Sequence, residues 1–255
     1  MDKKTVFITG ASSGIGKGLV YRFAQDGYQV AAAARRIDLL NNIAKDLNKE
    51  NKLVLPISCD VTKKSEVLKA VQVCHEQLGQ IDIFIANAGQ SISSPGEEFS
   101  AEIYEELYKT NVFGVIFGFE AVIPDMIKRK SGQLVCISSL AGYRGLPQSG
   151  AYSSSKAAVA ALTESLRIDL KEFNIKVSLI NPGFIKTPMT DRNSYYMPFL
   201  MGTQRGVDKI YRAIMRQKSV YAFPWQLALL VRLLRLFPAR IYDFVLRNRK
   251  NIKKS

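Results

Sequence analysis

Residues 5–16 read "TVFITGASSGIG", a short apolar and β-branched run followed by a turn with glycines at 10, 14 and 16. A run of that length and composition reads as a buried strand, and helical character resumes from residue 14 onward. Glycines at a strand-to-helix turn let the main chain approach a pyrophosphate closely. The helix start adds free N–H groups and the positive end of its dipole. The spacing is G-x-x-x-G-x-G, not the G-x-G-x-x-G of the commonest dinucleotide fingerprint. Glycines also make ordinary tight turns. What gives Gly10, Gly14 and Gly16 weight is their place directly after the first apolar strand.

The same alternation continues along the chain. Strand-length apolar runs recur at 29–34, 52–58, 81–86, 133–138, 176–180 and 219–223. Helical stretches such as 63–79 and 155–172 separate them and are long enough to serve as crossovers. This pattern implies an α/β fold, a doubly wound, Rossmann-like parallel sheet of about seven strands with helices on both faces in a single domain. No repeat or linker interrupts it before about residue 219. A main domain over 1–224 and a basic amphipathic extension over 225–255 are expected.

Hydrophobic residues make up 47 % and charged residues 23 %, values that exclude a disordered chain. Cys59, Cys74 and Cys136 are widely spaced and form no CxxC, so they suggest neither a disulfide framework nor a zinc site. With His75 as its single histidine, the chain lacks the parts of a metal cluster or a Ser-His-Asp relay. No metal is expected, and acid–base chemistry must use other groups. The start "MDKKTVFITG" is too short in apolar residues for a signal peptide, which suggests a cytoplasmic protein.

Further motifs follow in order: "CDV" at 59–61, "NAG" at 87–89, Asn111 in "KTNVFG", Ser139 in "CISSLAG", "YSSSK" at 152–156 and "NPGFIKT" at 181–187. Together with "TGASSGIG" they resemble the short-chain dehydrogenase/reductase family, in its compact single-domain branch, over roughly residues 4 to 190. The resemblance implies a hydride transfer between a nicotinamide cofactor and a carbonyl or alcohol. It implies cofactor contacts at Gly10, Ser12, Ser13, Gly14, Ile15 and Gly16, and an adenine contact at Asp60 and Val61. Asn87, Ala88 and Gly89 would support the backbone beside the cofactor. Pro182 and Gly183 would shape the nicotinamide end, with Ile185 and Thr187 contacting the carboxamide. A homo-oligomer is expected.

The cofactor's identity turns on the end of the second strand, "AAAARR". An acid there would hold the ribose 2′-OH of NAD, whereas a guanidinium fork suits a 2′-phosphate. Arg35 and Arg36 occupy that offset with no acid at 33–36, which favours NADP(H) over NAD; two arginines at a strand end can also simply face solvent. Ser13 stands where many NADP-preferring members carry a second basic residue, and Asp38 reads as a cap on the next helix.

Tyr152 and Lys156 lie four residues apart, one helical turn. A phenol is a poor proton exchanger at neutral pH, and a fixed positive charge beside it lowers its pKa by stabilising the phenolate. Lys156 would supply such a charge, and an oxidised nicotinamide another. By resemblance, Tyr152 would protonate the carbonyl oxygen and Ser139 would hydrogen-bond the same atom. Lys156 would also hold the nicotinamide ribose, and Asn111 would anchor a water linking Lys156 to solvent.

The substrate is less legible. The segment "PMTDRNSYYMPFLM" at 188–201 reads as an apolar flap, and Tyr143, Leu146 and Pro147 in "GYRGLP" point the same way, towards a lipophilic small molecule. A 3-oxoacyl carrier-protein reductase and a non-catalytic NADP-binding module are the alternatives. Of the net charge of +14, residues 201–255 carry +11, from 13 basic and 2 acidic side chains. In the extension "PWQLALLVRLLRLFPARIYDFVLRNRKNIKKS" the apolar run Leu227 to Phe237, with Arg232 and Arg235 inside it, is too short and too charged to span a bilayer. Three uses fit it: attachment to an anionic membrane surface, which would make the protein peripheral there, packing on the domain or a second subunit, and docking of an acidic partner. Nucleic acid is not expected, because the charge is confined to the tail and no recognition module accompanies it.

Overall fold

A computed structural model of the chain describes residues 3–49 and 53–247. The start of the expected strand at residue 52 and the basic terminus at 248–255 lie outside the described residues. The first half alternates β1 (Thr5–Thr9), α1 (Gly14–Gln25), β2 (Gln29–Ala34), α2 (Ile37–Asn48), β3 (Val54–Ser58), α3 (Lys64–Leu78) and β4 (Ile81–Ala86). Next come α4 (Ala101–Tyr108), a π-helical turn at Lys109–Phe113, α5 (Gly114–Arg129), β5 (Gly132–Ile137), α6 (Gly150–Asp169) and β6 (Ile175–Pro182). The chain closes with α7 (Thr203–Met215), β7 (Val220–Phe223), α8 (Trp225–Leu236) and α9 (Ala239–Arg247).

All seven strands pair in parallel, in the order β3-β2-β1-β4-β5-β6-β7. The order reverses between β1 and β4, which opens a crevice at their carboxyl ends. Each strand sends alternate residues to opposite faces, as a period of two requires. Val6, Ile8, Val30 and Ile85 pack against α1, α2 and α7, while Phe7, Ala31, Phe84 and Leu134 pack against α3, α5 and α6. Phe7 and Phe84 stack across neighbouring strands with ring centroids 5.2 Å apart. Gly118 lets α5 approach that pair, since a Cβ there would lie 2.4 Å from the Phe84 ring.

Two local readings of the sequence are corrected. α6 begins at Gly150, not at 155, so Tyr152 sits in its first turn. The serines there lack apolar periodicity, yet Ser154 and Ser155 donate to the carbonyls of Ala151 (3.1 Å) and Tyr152 (2.8 Å) and follow the helix. Asp38 does not cap α2: the N-cap position is Arg36, and Asp38 lies in the first turn, where its charge suits the helix dipole.

Candidate active site

The crevice is assembled from loops at the carboxyl ends of β1, β4, β5 and β6. Gly10 and Gly14 take left-handed backbone with φ of 66° and 54°, and a Cβ on Gly16 would lie 2.3 Å from the Gly10 carbonyl oxygen. These three positions therefore admit only glycine without a shift of the backbone. Ser13 is the N-cap residue of α1, but its hydroxyl makes no capping bond, leaving the first N–H groups of the helix open to the crevice. Arg36 instead donates to Ser13 Oγ at 2.9 Å and to Ser12 Oγ at 3.0 Å. Arg35 is exposed beside it.

Thr9, not singled out from the sequence, ties the first turn to the loop after β4. Its hydroxyl accepts from the main-chain N–H groups of Asn87 and Ala88, each at 3.0 Å, and Asn87 Nδ2 donates back to the Thr9 carbonyl at 2.9 Å. A Cβ on Gly10 would reach Ala88 Cα at 2.7 Å, so the two loops are in close contact. Asp60 is held by its own turn, accepting from Thr62 N–H (3.0 Å) and Thr62 Oγ1 (2.9 Å). Val61 is buried, and a Cβ on Gly114 would sit 2.9 Å from its Cγ2.

Asn111 lies in the π-helical turn, a feature that often re-aims a side chain at a functional site. It is fully buried; its Oδ1 accepts from Gln90 N–H (2.9 Å), and its Nδ2 donates to the Gln90 carbonyl and to Ser155 Oγ, each at 3.0 Å. The side-chain amide thus positions the loop after β4 against α6.

Ser139 follows β5, and Tyr152 and Lys156 lie on α6. Burial pushes the Tyr152 phenol above its ordinary value of 10.0, while a hydrogen bond with the Ser139 hydroxyl works the other way. Burial pushes the Lys156 ammonium below 10.5. Lys156 Nζ donates to the Ile137 carbonyl at 3.0 Å and stands 5.8 Å from the centre of the Tyr152 ring. Ser138 faces away from this cluster and donates to the Lys156 carbonyl at 3.0 Å, fixing α6 against β5.

Ile185 follows β6, and its side chain does not line the crevice. That side chain is buried in the core against α7, where a Cβ on Gly206 would lie 2.7 Å from its Cδ1, so only its main chain faces the crevice. Thr187 packs its methyl group beside Gly14 and exchanges hydrogen bonds with Thr190. Pro182 ends β6, and Gly183 is tight against the extension: a Cβ there would meet Leu227 and Pro224 at 3.1 Å each. The flap is closed at its base by Lys186 N–H to the Met201 carbonyl (2.8 Å) and Met201 N–H to the Phe184 carbonyl (2.9 Å).

The extension forms one wall of the site, a role missed in the sequence. Leu227 and Ala228 bury against Leu140, Tyr143 and Phe184. Arg144 donates to the carbonyls of Leu234 and Phe237, and its guanidinium lies 3.8 Å from the centre of the Tyr242 ring. Tyr242 in turn donates to the Gly145 carbonyl. No signal in the sequence pairs Arg144 with residues about 90 positions away, because its partners are backbone carbonyls at a helix end.

The glycine cradle, the open start of α1 and the buried Lys156 fit a nicotinamide dinucleotide. Among the described residues no group of three or more His, Cys, Asp or Glu is placed to hold a metal. The family model for short chain dehydrogenases matches residues 4–196. An uncharacterized oxidoreductase of Myxococcus xanthus is 38 % identical over 95 % of this chain and 96 % of its own length. A short-chain dehydrogenase from Sphingobium yanoikuyae, solved in complex with NADPH, is 27 % identical with a TM-score of 0.79, covering 99 % of this chain and 97 % of that one. A short-chain dehydrogenase/reductase from Burkholderia phymatum, solved with NAD, shares the fold at 24 % identity and a TM-score of 0.84, over 96 % of this chain and 95 % of the other.

Proposed function

The chain belongs to the short-chain dehydrogenase family, and from that premise we propose that it is an NADP(H)-dependent oxidoreductase acting on a lipophilic carbonyl or alcohol. The observation that carries the reading is the cluster of Ser139, Tyr152 and Lys156 beside the glycine cradle at the switch point of the sheet. Bound there, the nicotinamide dinucleotide supplies or accepts the hydride.

The residues divide the remaining work. Gly10, Gly14 and Gly16, with the open N–H groups of α1, bind the pyrophosphate. Arg36, steadied over the turn by Ser12 and Ser13, and Arg35 beside it receive the 2′-phosphate, which favours NADP over NAD. Asp60 and Val61 line the adenine end, and Thr187 with the main chain of Ile185 lines the other. Tyr152 donates the proton to the carbonyl oxygen, and the Ser139 hydroxyl donates a hydrogen bond to that oxygen and stabilises its developing charge. Lys156 fixes the ribose and replenishes the proton, with Asn111 as a positioning residue that sets the loop across from it.

The apolar wall of Leu140, Tyr143, Phe184 and Leu227, with the exposed Tyr195 of the flap, supports a lipophilic substrate. Phe113 at the end of the π-helical turn and Ile168 on α6 are exposed and support a homo-oligomer. The three free, buried cysteines fit a reducing compartment such as the cytoplasm.

The test is NADPH and NADH oxidation by purified protein over lipophilic ketones, aldehydes, quinones and 3-oxoacyl thioesters, free and carrier-bound. NADPH-preferring turnover on the lipophilic substrates is expected. Turnover restricted to carrier-bound thioesters would make it a carrier-protein reductase, and NADPH binding without any turnover would make it a binding module.

A further inference from the structure

The helix α8 divides its circumference into three arcs. Leu227, Ala228, Val231 and Leu234 turn inward to the domain. At 100° per residue, Trp225, Leu229, Leu230, Leu233 and Leu236 fall on the opposite arc, and all five are exposed, Trp225 by 68 % and Leu236 by 80 %. Arg232 falls between the two arcs on one flank, and Arg235, in the last turn beyond the buried residues, is exposed as well. A helix that buries one apolar face on its own domain has no internal use for a second one. Ile241 and Phe244 of α9 are exposed as well.

The apolar arc continues onto neighbouring elements. Phe199 and Leu200, at the far end of the flap, are 52 % and 46 % exposed and share a groove of about 520 Å³ with Trp225. Arg205 and Lys209 line the same groove from α7. Arg232, Arg235 and Arg240 are exposed along the extension, and between residues 209 and 247 the only acid is Asp243.

We propose that this face docks on the surface of an anionic lipid bilayer, with α8 lying in the plane of the interface. Twelve residues make about 18 Å of helix, too short to cross the ~30 Å hydrocarbon core, so the arc can sink in only sideways. Leucines and a tryptophan on the exposed arc with Arg232 on its flank are the composition of an interfacial helix. The cations of the groove meet the lipid phosphates while Trp225 and Phe199 lie at headgroup depth. A second copy of the chain is the poorer occupant, because a two-fold pairing of this face would set arginines against arginines. The inner arc of the same helix walls the candidate site, so docking turns that site towards the membrane. Docking does not depend on the reductase reading, and its test needs no turnover.

Trp225 is the chain's only tryptophan, so its emission reports on this face alone. The full-length protein is titrated with vesicles of phosphatidylcholine mixed with phosphatidylglycerol, and with vesicles of phosphatidylcholine alone. A blue shift and quenching by brominated lipid are expected with the anionic vesicles and not with the neutral ones. The double variant Leu229→Glu, Leu233→Glu touches only the exposed arc, and it should lower the vesicle-bound fraction at least about tenfold while circular dichroism and NADPH binding stay unchanged. Arg205→Glu with Lys209→Glu should weaken binding to anionic vesicles in the same direction. An unshifted emission with no co-sedimentation, or undiminished binding by the double variant, would overturn the proposal. So would a double variant that merely breaks an oligomer of a protein indifferent to vesicles, which would assign the face to a second copy.

Discussion

Lys156 holds its ammonium 5.8 Å from the centre of the Tyr152 ring, but its hydrogen bond goes to the Ile137 carbonyl at 3.0 Å. From the sequence, Lys156 and an oxidised nicotinamide are together expected to draw the phenol down, and among the protein's own groups burial acts against this. Both groups are buried, and burial disfavours whichever form is charged. It raises Tyr152 above 10.0 and lowers Lys156 below 10.5, and only the Ser139 hydroxyl opposes the rise.

A phenol raised in this way stays protonated until the pH passes its own value. Carbonyl reduction should accordingly keep its kcat/KM flat through neutral pH and lose it only above about pH 10. A pH profile of reduction measures this, and a falling limb near pH 7 would contradict it. Ser139→Ala removes the opposing hydrogen bond and should move the alkaline limb higher while lowering the rate.

Arg36 bridges Ser12 and Ser13 at 3.0 and 2.9 Å. Replacing it with Ala should weaken NADPH binding by about 10- to 100-fold, the range for a lost charge-assisted hydrogen bond, and leave NADH within about twofold. Fluorescence titration with both cofactors is the measurement. Equal weakening of the two would remove the 2′-phosphate from this position.

Gly16 leaves no room for a methyl group, since a Cβ would lie 2.3 Å from the Gly10 carbonyl oxygen, an atom of the backbone. Gly16→Ala should cost about 1–3 kcal/mol of stability, lower Tm and weaken the cofactor. Gly96→Ala is the control, because no atom lies within 4 Å of its Cβ position. Similar melting curves for the two variants would show that the turn is not closely packed.

Arg144 links the loop between Ser139 and Tyr152 to the extension, through the Phe237 carbonyl at 3.1 Å and the Tyr242 ring at 3.8 Å. Arg144→Ala should speed tryptic cleavage within 232–240 and raise KM for bulky substrates more than it lowers kcat. Arg144→Lys should restore it only in part, since an ammonium can reach the carbonyls but lacks the planar face that stacks on the Tyr242 ring. Unchanged proteolysis and KM would leave the contact without function.

Strands β1, β2 and β4 match the sequence reading residue for residue, because buried parallel strands are written as uninterrupted apolar runs. The glycine turn was legible for a related reason: its backbone conformation and its contacts tolerate no side chain. The start of α6 was not, since the serines that carry it earn their helical place through hydrogen bonds to preceding carbonyls and show no periodicity. The burial of the Ile185 side chain in the core was not legible, because its packing partner Gly206 lies on a helix 21 residues further on. Thr9 and Arg144 act on backbone groups far away in sequence, and no pattern in the chain encodes such partners. The outer arc of α8 was visible as amphipathic character, but which arc turns inward is decided by what the domain offers at Leu140 and Tyr143.

The most direct test is turnover by Tyr152→Phe, which deletes one hydroxyl from a half-buried ring and leaves the cofactor cradle untouched. The mutant should bind NADPH as the native protein does and lose about 2–4 orders of magnitude in kcat on the best carbonyl substrate, the range for a lost general acid. A variant that reduces the same substrate at the native rate would contradict the assignment of Tyr152 as the proton donor and, with it, the proposed reaction at this site.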